Sequence, residues 1–288
     1  MRLIVFGDDY RVGVSTPEGV VDVSAVVSGV PARLAHYRMQ LLIQDFERLR
    51  PRIEARAIND ERQHIDPRYW KPPTPTPRNF LAAPLNYHQH RREMSGSIVD
   101  GHLTARELGF FVKAGGSLSA PYSAIALPNL PGRRFDHEAE VALVIGREAR
   151  GVSPSSALDH VFGYTLVVDV TMRVSATGQE ERPMRKSYWT FSPCGPCIVT
   201  ADEIPDPSTL EVTLWVNGEL RQRGTLADLI VNIPGLISAA SAVLPLEPGD
   251  LYATGTPEGV GPIEAGDEVI VECQAIGRMI LPVTSREW

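Results

Sequence analysis

The chain has 288 residues, with 28 basic against 35 acidic side chains, a formal net charge of −7, and 43% apolar and 22% charged residues. This is the make-up of an ordinary globular protein long enough to bury a large core, and its acidic excess offers no basic footprint for a nucleic-acid backbone. No apolar run reaches bilayer length, the N-terminal one is too short and too soon acidic for a signal peptide, and three cysteines cannot staple a secreted scaffold; the expectation is a cytoplasmic protein without nucleic-acid or membrane partners.

Residues 2–6, 10–14 and 20–23 are short apolar runs separated by Gly7-Asp8-Asp9 and Pro17-Glu18-Gly19, the punctuation of hairpins. Leu42, Phe46, Leu49 and Ile53 recur at four- and three-residue spacing, which predicts one or two helices between 32 and 57, with Pro51 speaking against a single continuous one. Lys71-Pro72-Pro73-Thr74-Pro75-Thr76-Pro77-Arg78 denies the backbone both helix and sheet bonding and reads as a semi-rigid connector. It divides the chain into a small N-terminal α+β domain at 1–70, a linker at 71–78 and a second domain at 79–288.

The second part is dominated by strand signals. Runs at 140–146 and 165–169 are apolar, 211–220 alternates up to the hairpin dipeptide Asn217-Gly218, and 268–283 folds back near Ile276-Gly277. Ser153-Pro154 predicts the cap of a short helix through His160, and Leu226, Leu229, Ile230, Ile233, Leu236 and Ile237 predict one apolar helix face. With 24 glycines and 24 prolines, a mainly β domain with some α is the reading.

Cys194-Gly195-Pro196-Cys197 has the letters of a thioredoxin-type dithiol, which needs its first thiol at a helix N-terminus. Here a strand, Ile198-Val199-Thr200, and then Pro205 and Pro207 follow, so the expectation is two inert, packed thiols around a Gly-Pro turn; Cys273 is too far away in sequence to complete a zinc site.

The carboxylates are more informative. In Asp136-His137-Glu138-Ala139-Glu140, residues two apart on a strand share a face, so Glu138 and Glu140 form either a solvated pair or an all-oxygen site for Mg²⁺ or Mn²⁺, with Asp169 at the end of an apolar strand as a third carboxylate. His90 and Glu93, three apart, are either a general base with its orienting carboxylate or a surface pair. Lys186 beside Tyr188 and Trp189 is either a positioned cation or a snorkelling surface lysine. Thr254-Gly255-Thr256-Pro257-Glu258-Gly259-Val260-Gly261 is a loop whose amides and hydroxyls suit carboxylate or phosphate oxygens, without the lysine of a P-loop.

The order of these motifs resembles the fumarylacetoacetate hydrolase family. The resemblance runs from Asn86-Tyr87-x-x-His90-x-x-Glu93 through Phe111-Val112-Lys113, Asp136-His137-Glu138-Ala139-Glu140, Gly163-Tyr164-Thr165, Asp169-Val170-Thr171-x-Arg173, Lys186-Ser187, Gly195-Pro196, Val216-Asn217-Gly218-Glu219 with Gln222, and Pro248-Gly249-Asp250 to the Thr254–Gly261 loop. It covers about 79–285. It implies a mixed β-roll catalytic domain behind a small N-terminal domain, and a homodimer. It implies Glu138, Glu140 and Asp169 as ligands of one Mg²⁺ or Mn²⁺, His90 and Glu93 as catalytic dyad, and Lys186 as a substrate-holding catalytic lysine. It further implies Tyr87, Arg173, Gln222 and Thr256 as substrate-binding residues.

The activity implied is hydrolysis of a carbon–carbon bond in an acylpyruvate or other 2,4-diketo acid during aromatic catabolism. The dyad activates water, and the metal stabilises the enolate that develops. The alternatives are a hydratase, isomerase or decarboxylase of a 2-oxo dienoic or dicarboxylic acid, and an inactive binding protein of the same fold. Three departures stand out. Gln89 replaces a frequent Asp. Arg173-Val174-Ser175-Ala176 replaces an Arg-Asp-x-x-Gln run, with Gln179 as candidate substitute. Tyr188-Trp189 replaces an aromatic-Asp pair.

Overall fold

The computed structural model describes residues 1–94, 103–174 and 180–287. Ser175, Ala176 and Gln179, among the departures noted above, lie outside them.

Among the described residues the largest sheet has eleven strands. Its main path runs Gly19–Asp22, Arg11–Thr16, Arg2–Phe6, Ser192–Thr200, Val161–Val168, Ala139–Ile145, Leu251–Ala253, Phe80–Ala82 and Phe111–Val112. The N-terminal hairpin is continuous with the rest, because Arg2 pairs with Val199 and Leu3 with Ile198. The central strands Ala139–Ile145 and Val161–Val168 are buried along their whole length, as expected for a sheet covered on both faces. One face, with Leu3, Val5, Ala142 and Val144, packs on Met39, Leu42, Phe46, Leu49 and Ile53 of two helices. The other, with Ile4, Val141, Leu143 and Leu166, packs on a five-stranded sheet and on the helix Ile233–Val243. A three-stranded sheet joins Thr171–Met172, Phe135–His137 and Gly261–Pro262. The protein is mainly β with some α.

Local signals held to different degrees. Asn217 and Gly218 both have positive φ, as the expected two-residue hairpin requires, between Glu211–Val216 and Glu219–Thr225. The hairpin Glu268–Cys273 and Gly277–Arg286 also forms. The helix Phe46–Asn59 runs straight through Pro51, and the interruption falls instead at Asp45, where the preceding helix Arg38–Gln44 ends. The stretch after Ser153 gives a short 3-10 turn, Ala157–His160, with Ser153 bonded to Ser155 and Ser156. The apolar face from Leu226 becomes helix only at Ile233, where the Asn232 side chain accepts from the Gly235 amide at 3.0 Å and Pro234 enters the first turn.

Cys194 and Cys197 both sit in the strand Ser192–Thr200. They belong to the two different apolar layers, so the sheet separates the thiols. Both are buried and free, as is Cys273.

Candidate active site

Strand register assembles the acidic residues. Ala139 pairs with Val168 and Glu140 with Val167, so Glu138, just before one strand, and Asp169, just after the other, meet at the same end of the pair. The Asp169 amide donates to the Glu138 carbonyl at 2.8 Å. One oxygen from each of Glu138, Glu140 and Asp169 lies within 4.8 Å of the others, and all three residues are buried.

Three such charges need compensation. Lys186 Nζ donates to Glu138 Oε2 and Asp169 Oδ2, both at 2.6 Å, and to Thr171 Oγ1 at 2.7 Å. Lys113 Nζ donates to the second Asp169 oxygen and to the Phe191 carbonyl. Arg173, carried past the short pairing of Thr171 with Asp136, bonds Asp136 at 2.6 Å and Glu138 at 2.9 Å. Burial opposes the charge of Glu138, but Lys186 and Arg173 outweigh it and hold this carboxyl well below the usual range. Glu140 is different. Among the described residues the Gly255 amide donates to it at 2.7 Å and no cation does. Burial and the neighbouring Asp169 push its carboxyl well above the usual range. A hard dication is what such an all-oxygen set requires, so the donor chemistry fits Mg²⁺ or Mn²⁺.

His90 and Glu93 share the helix His88–Met94, with Nδ1 to Oε2 at 3.0 Å. The Gly259 amide donates to the other Glu93 oxygen at 3.2 Å. The glycine-rich loop therefore gives amides to the protein's own carboxylates, Glu140 and Glu93. Its glycines are required. Gly255 has φ +101° and a Cβ there would lie 2.8 Å from Asn86 Cβ, while at Gly259, φ +86°, a Cβ would meet the Arg221 carbonyl oxygen at 1.8 Å.

His90, Glu138, Glu140, Asp169, Arg173, Lys186 and Thr256 all border one cavity of about 70 Å³, walled also by Phe111, Arg182 and Arg185. Tyr87 and Gln222 do not border it. Tyr87 is buried, and its hydroxyl has no partner among the described residues. Gln222 lies behind the wall, its Nε2 donating to Thr256 Oγ1 and the Pro257 carbonyl and its Oε1 accepting from the Ala139 amide. Two of the departures also face elsewhere: Gln89 is exposed and bonded to Arg92, and Trp189 is 54% exposed with the Arg286 guanidinium over its ring. A roomier groove of about 870 Å³ near Trp215 and Leu220 contains none of these groups, so volume does not mark the site and chemistry does. Sequence reasoning gave no role to Lys113, Asp136, Arg182 or Arg185. Lys113 stood in a noted motif, but nothing local foretells its partner 56 positions away.

Comparison with known proteins agrees with this geometry. Residues 79–284 match the model for the fumarylacetoacetate (FAA) hydrolase C-terminal domain. A maleylpyruvate hydrolase of Aquipseudomonas alcaligenes is 36% identical, covering 99% of this chain and 100% of that one. The crystal structure of a maleylpyruvate hydrolase from Sphingobium sp. SYK-6 in complex with manganese(II) and pyruvate superposes with a TM-score of 0.86 at 40% identity, covering 99% of both chains. An Escherichia coli bifunctional isomerase/decarboxylase of 4-hydroxyphenylacetate degradation is 36% identical over 87% of this chain and 56% of its own length. No helix among the described residues is long and apolar enough to cross a membrane. The chain belongs to the fumarylacetoacetate hydrolase family.

Proposed function

We propose that this chain is a divalent-metal-dependent hydrolase that splits a carbon–carbon bond of an acylpyruvate, releasing a carboxylic acid and pyruvate. One observation carries the reading: a single cavity holds a buried three-carboxylate cluster and a histidine oriented by a carboxylate. Glu138, Glu140 and Asp169 would hold a dication, which would supply Lewis acidity to the oxygens of a bound 2-oxo acid. Lys186 adds fixed positive charge where negative charge develops on those oxygens. Glu93 accepts the Nδ1 proton of His90 and so fixes the tautomer, leaving Nε2 to take a proton from water. The hydroxide adds to the distal carbonyl, and the bond between that carbonyl carbon and its neighbour breaks with its electrons left on the 2-oxo acid fragment. Protonated His90 then returns the proton to the neighbouring carbon, which kept those electrons and becomes the methyl carbon of pyruvate. The Thr256 hydroxyl, whose oxygen already accepts from Gln222, and the Arg173 guanidinium hold the substrate's 2-oxo acid end.

The names of the two maleylpyruvate hydrolases, one crystallised with manganese(II) and pyruvate, support an acylpyruvate substrate and a pyruvate product. The named isomerase/decarboxylase keeps a second reaction type in view for the same site. We place the protein in the cytoplasm as a homodimer. The test is incubation of maleylpyruvate with the protein and Mn²⁺ or Mg²⁺, following the enol absorbance and identifying products. Pyruvate plus a carboxylic acid supports hydrolysis, carbon dioxide points to decarboxylation, and an unchanged substrate sinks the proposal.

A further inference from the structure

The cavity is richer in cations than its chemistry requires. Its wall carries three carboxylates, Glu138, Glu140 and Asp169, against four cations, Arg173, Arg182, Arg185 and Lys186. Three of those cations already have acceptors in the protein. Arg173 bonds Asp136 and Glu138, Lys186 bonds Glu138 and Asp169, and Arg185 donates to the Glu180 and Met172 carbonyls. Arg182 differs. Among the described residues no carboxylate, carbonyl or hydroxyl accepts from its guanidinium, which rests against the Phe111 ring, 5.5 Å from its centroid.

The ring also locates it. Lys186 Nζ lies 5.2 Å from the same centroid, so Arg182 and the lysine that grips the acidic cluster border one small space. Arg185, tied to the Met172 carbonyl, anchors the short helix Arg182–Arg185 and so the direction of Arg182. A half-buried guanidinium with five donors and no anion is suited to bidentate capture of a carboxylate.

We propose that Arg182 is a specificity-determining residue that receives a second, distal carboxylate, so that the site selects 2-oxo acids whose far end is also an acid. This rests on the acylpyruvate reading: the 2-oxo acid end lies at the carboxylate cluster and the acyl tail reaches Arg182. The charge balance points the same way: with a dication this wall carries three net positive charges, of which a dicarboxylate offsets two and a monocarboxylate one.

Calorimetric titration of the Mn²⁺-loaded protein with 2-oxoadipate and 2-oxohexanoate tests it, because these ligands have equal chain length and differ in the terminal carboxylate. The wild type is expected to prefer 2-oxoadipate. Arg182→Gln weakens that ligand by roughly 10- to 100-fold, the scale of a charge-assisted bidentate contact, and changes 2-oxohexanoate by less than about twofold. Arg182→Lys, which keeps the charge, retains part of the preference, and Mn²⁺ binding by both variants shows that the site is intact. A wild type without preference, or an Arg182→Gln that weakens both ligands alike or neither, overturns the proposal. Loss of selectivity in Arg182→Gln, where the wild type hydrolyses no acylpyruvate, supports the role of Arg182 and sinks the hydrolase reading alone.

Discussion

Gln222 Nε2 donates to Thr256 Oγ1 at 2.8 Å, while Gln222 Oε1 accepts from both the Ala139 amide and His137 Nδ1 at 3.0 Å. One buried amide thus ties the five-stranded sheet to the start of the strand that carries Glu140 and to the loop that borders the cavity. Gln222→Leu leaves the Ala139 amide and the His137 ring nitrogen buried without an acceptor. The expected cost is about 2–4 kcal/mol, from the penalty for stranding buried donors, read as a lower urea midpoint at unchanged slope. An unmoved midpoint would show that water or repacking replaces the amide.

At the cluster, Glu140→Gln keeps the shape and removes the charge. Mn²⁺ affinity is expected to fall by at least about 100-fold, beyond the 10- to 100-fold typical of groups outside the coordination sphere, with turnover falling in parallel. Glu138→Ala behaves the same way, and chelation of the wild type abolishes turnover until Mn²⁺ or Mg²⁺ is restored. Calorimetry and product assays on one preparation decide it. Full turnover in either variant removes the metal from the mechanism.

The expected split between His90 and the cluster is sharper. His90→Ala leaves Mn²⁺ affinity within about twofold but lowers hydrolysis by roughly 10²- to 10⁴-fold, the usual contribution of general base catalysis. Glu93→Gln gives a smaller loss, since Nδ1 keeps an acceptor. Persistence of carbon dioxide release in His90→Ala would favour decarboxylation, which needs no activated water.

What the sequence made legible follows from distance along the chain. Glu138 and Glu140 are two residues apart, His90 and Glu93 three, and Asn217-Gly218 forms its own turn; each pattern is local, and each element formed. The family resemblance then brought Asp169 and Lys186 to the same place. Lys113 on Asp169, Gln222 on Thr256 and Leu3 beside Ile198 depend on strand order, which no short window encodes. Pro51 shows the limit of the local rule as well, because Phe46, Leu49 and Ile53 all bury against the sheet and that packing outweighs one lost helical bond.

The Cys-Gly-Pro-Cys run makes the opposite case, a loud motif without the matching environment. Burial pushes the Cys194 thiol up to about 12 and the Cys197 thiol up to about 11, where a redox-active thiol is pushed down. Unfolded thiols ionise near their ordinary value of about 8.5 while the native ones stay protonated, so above that pH the unfolded chain releases protons that the folded chain retains. The stabilising contribution is complete below about pH 8.5 and is lost as pH rises toward the native values, at roughly 1.4 kcal/mol per pH unit for each thiol. Urea unfolding at pH 8 and pH 10 is expected to show this decline, and a Cys194→Ala, Cys197→Ala double variant to flatten it. Iodoacetamide at pH 8 is expected to label both thiols in urea and neither in the folded protein, because the sheet holds them in separate apolar layers. Labelling of the folded protein at either position would restore the redox reading.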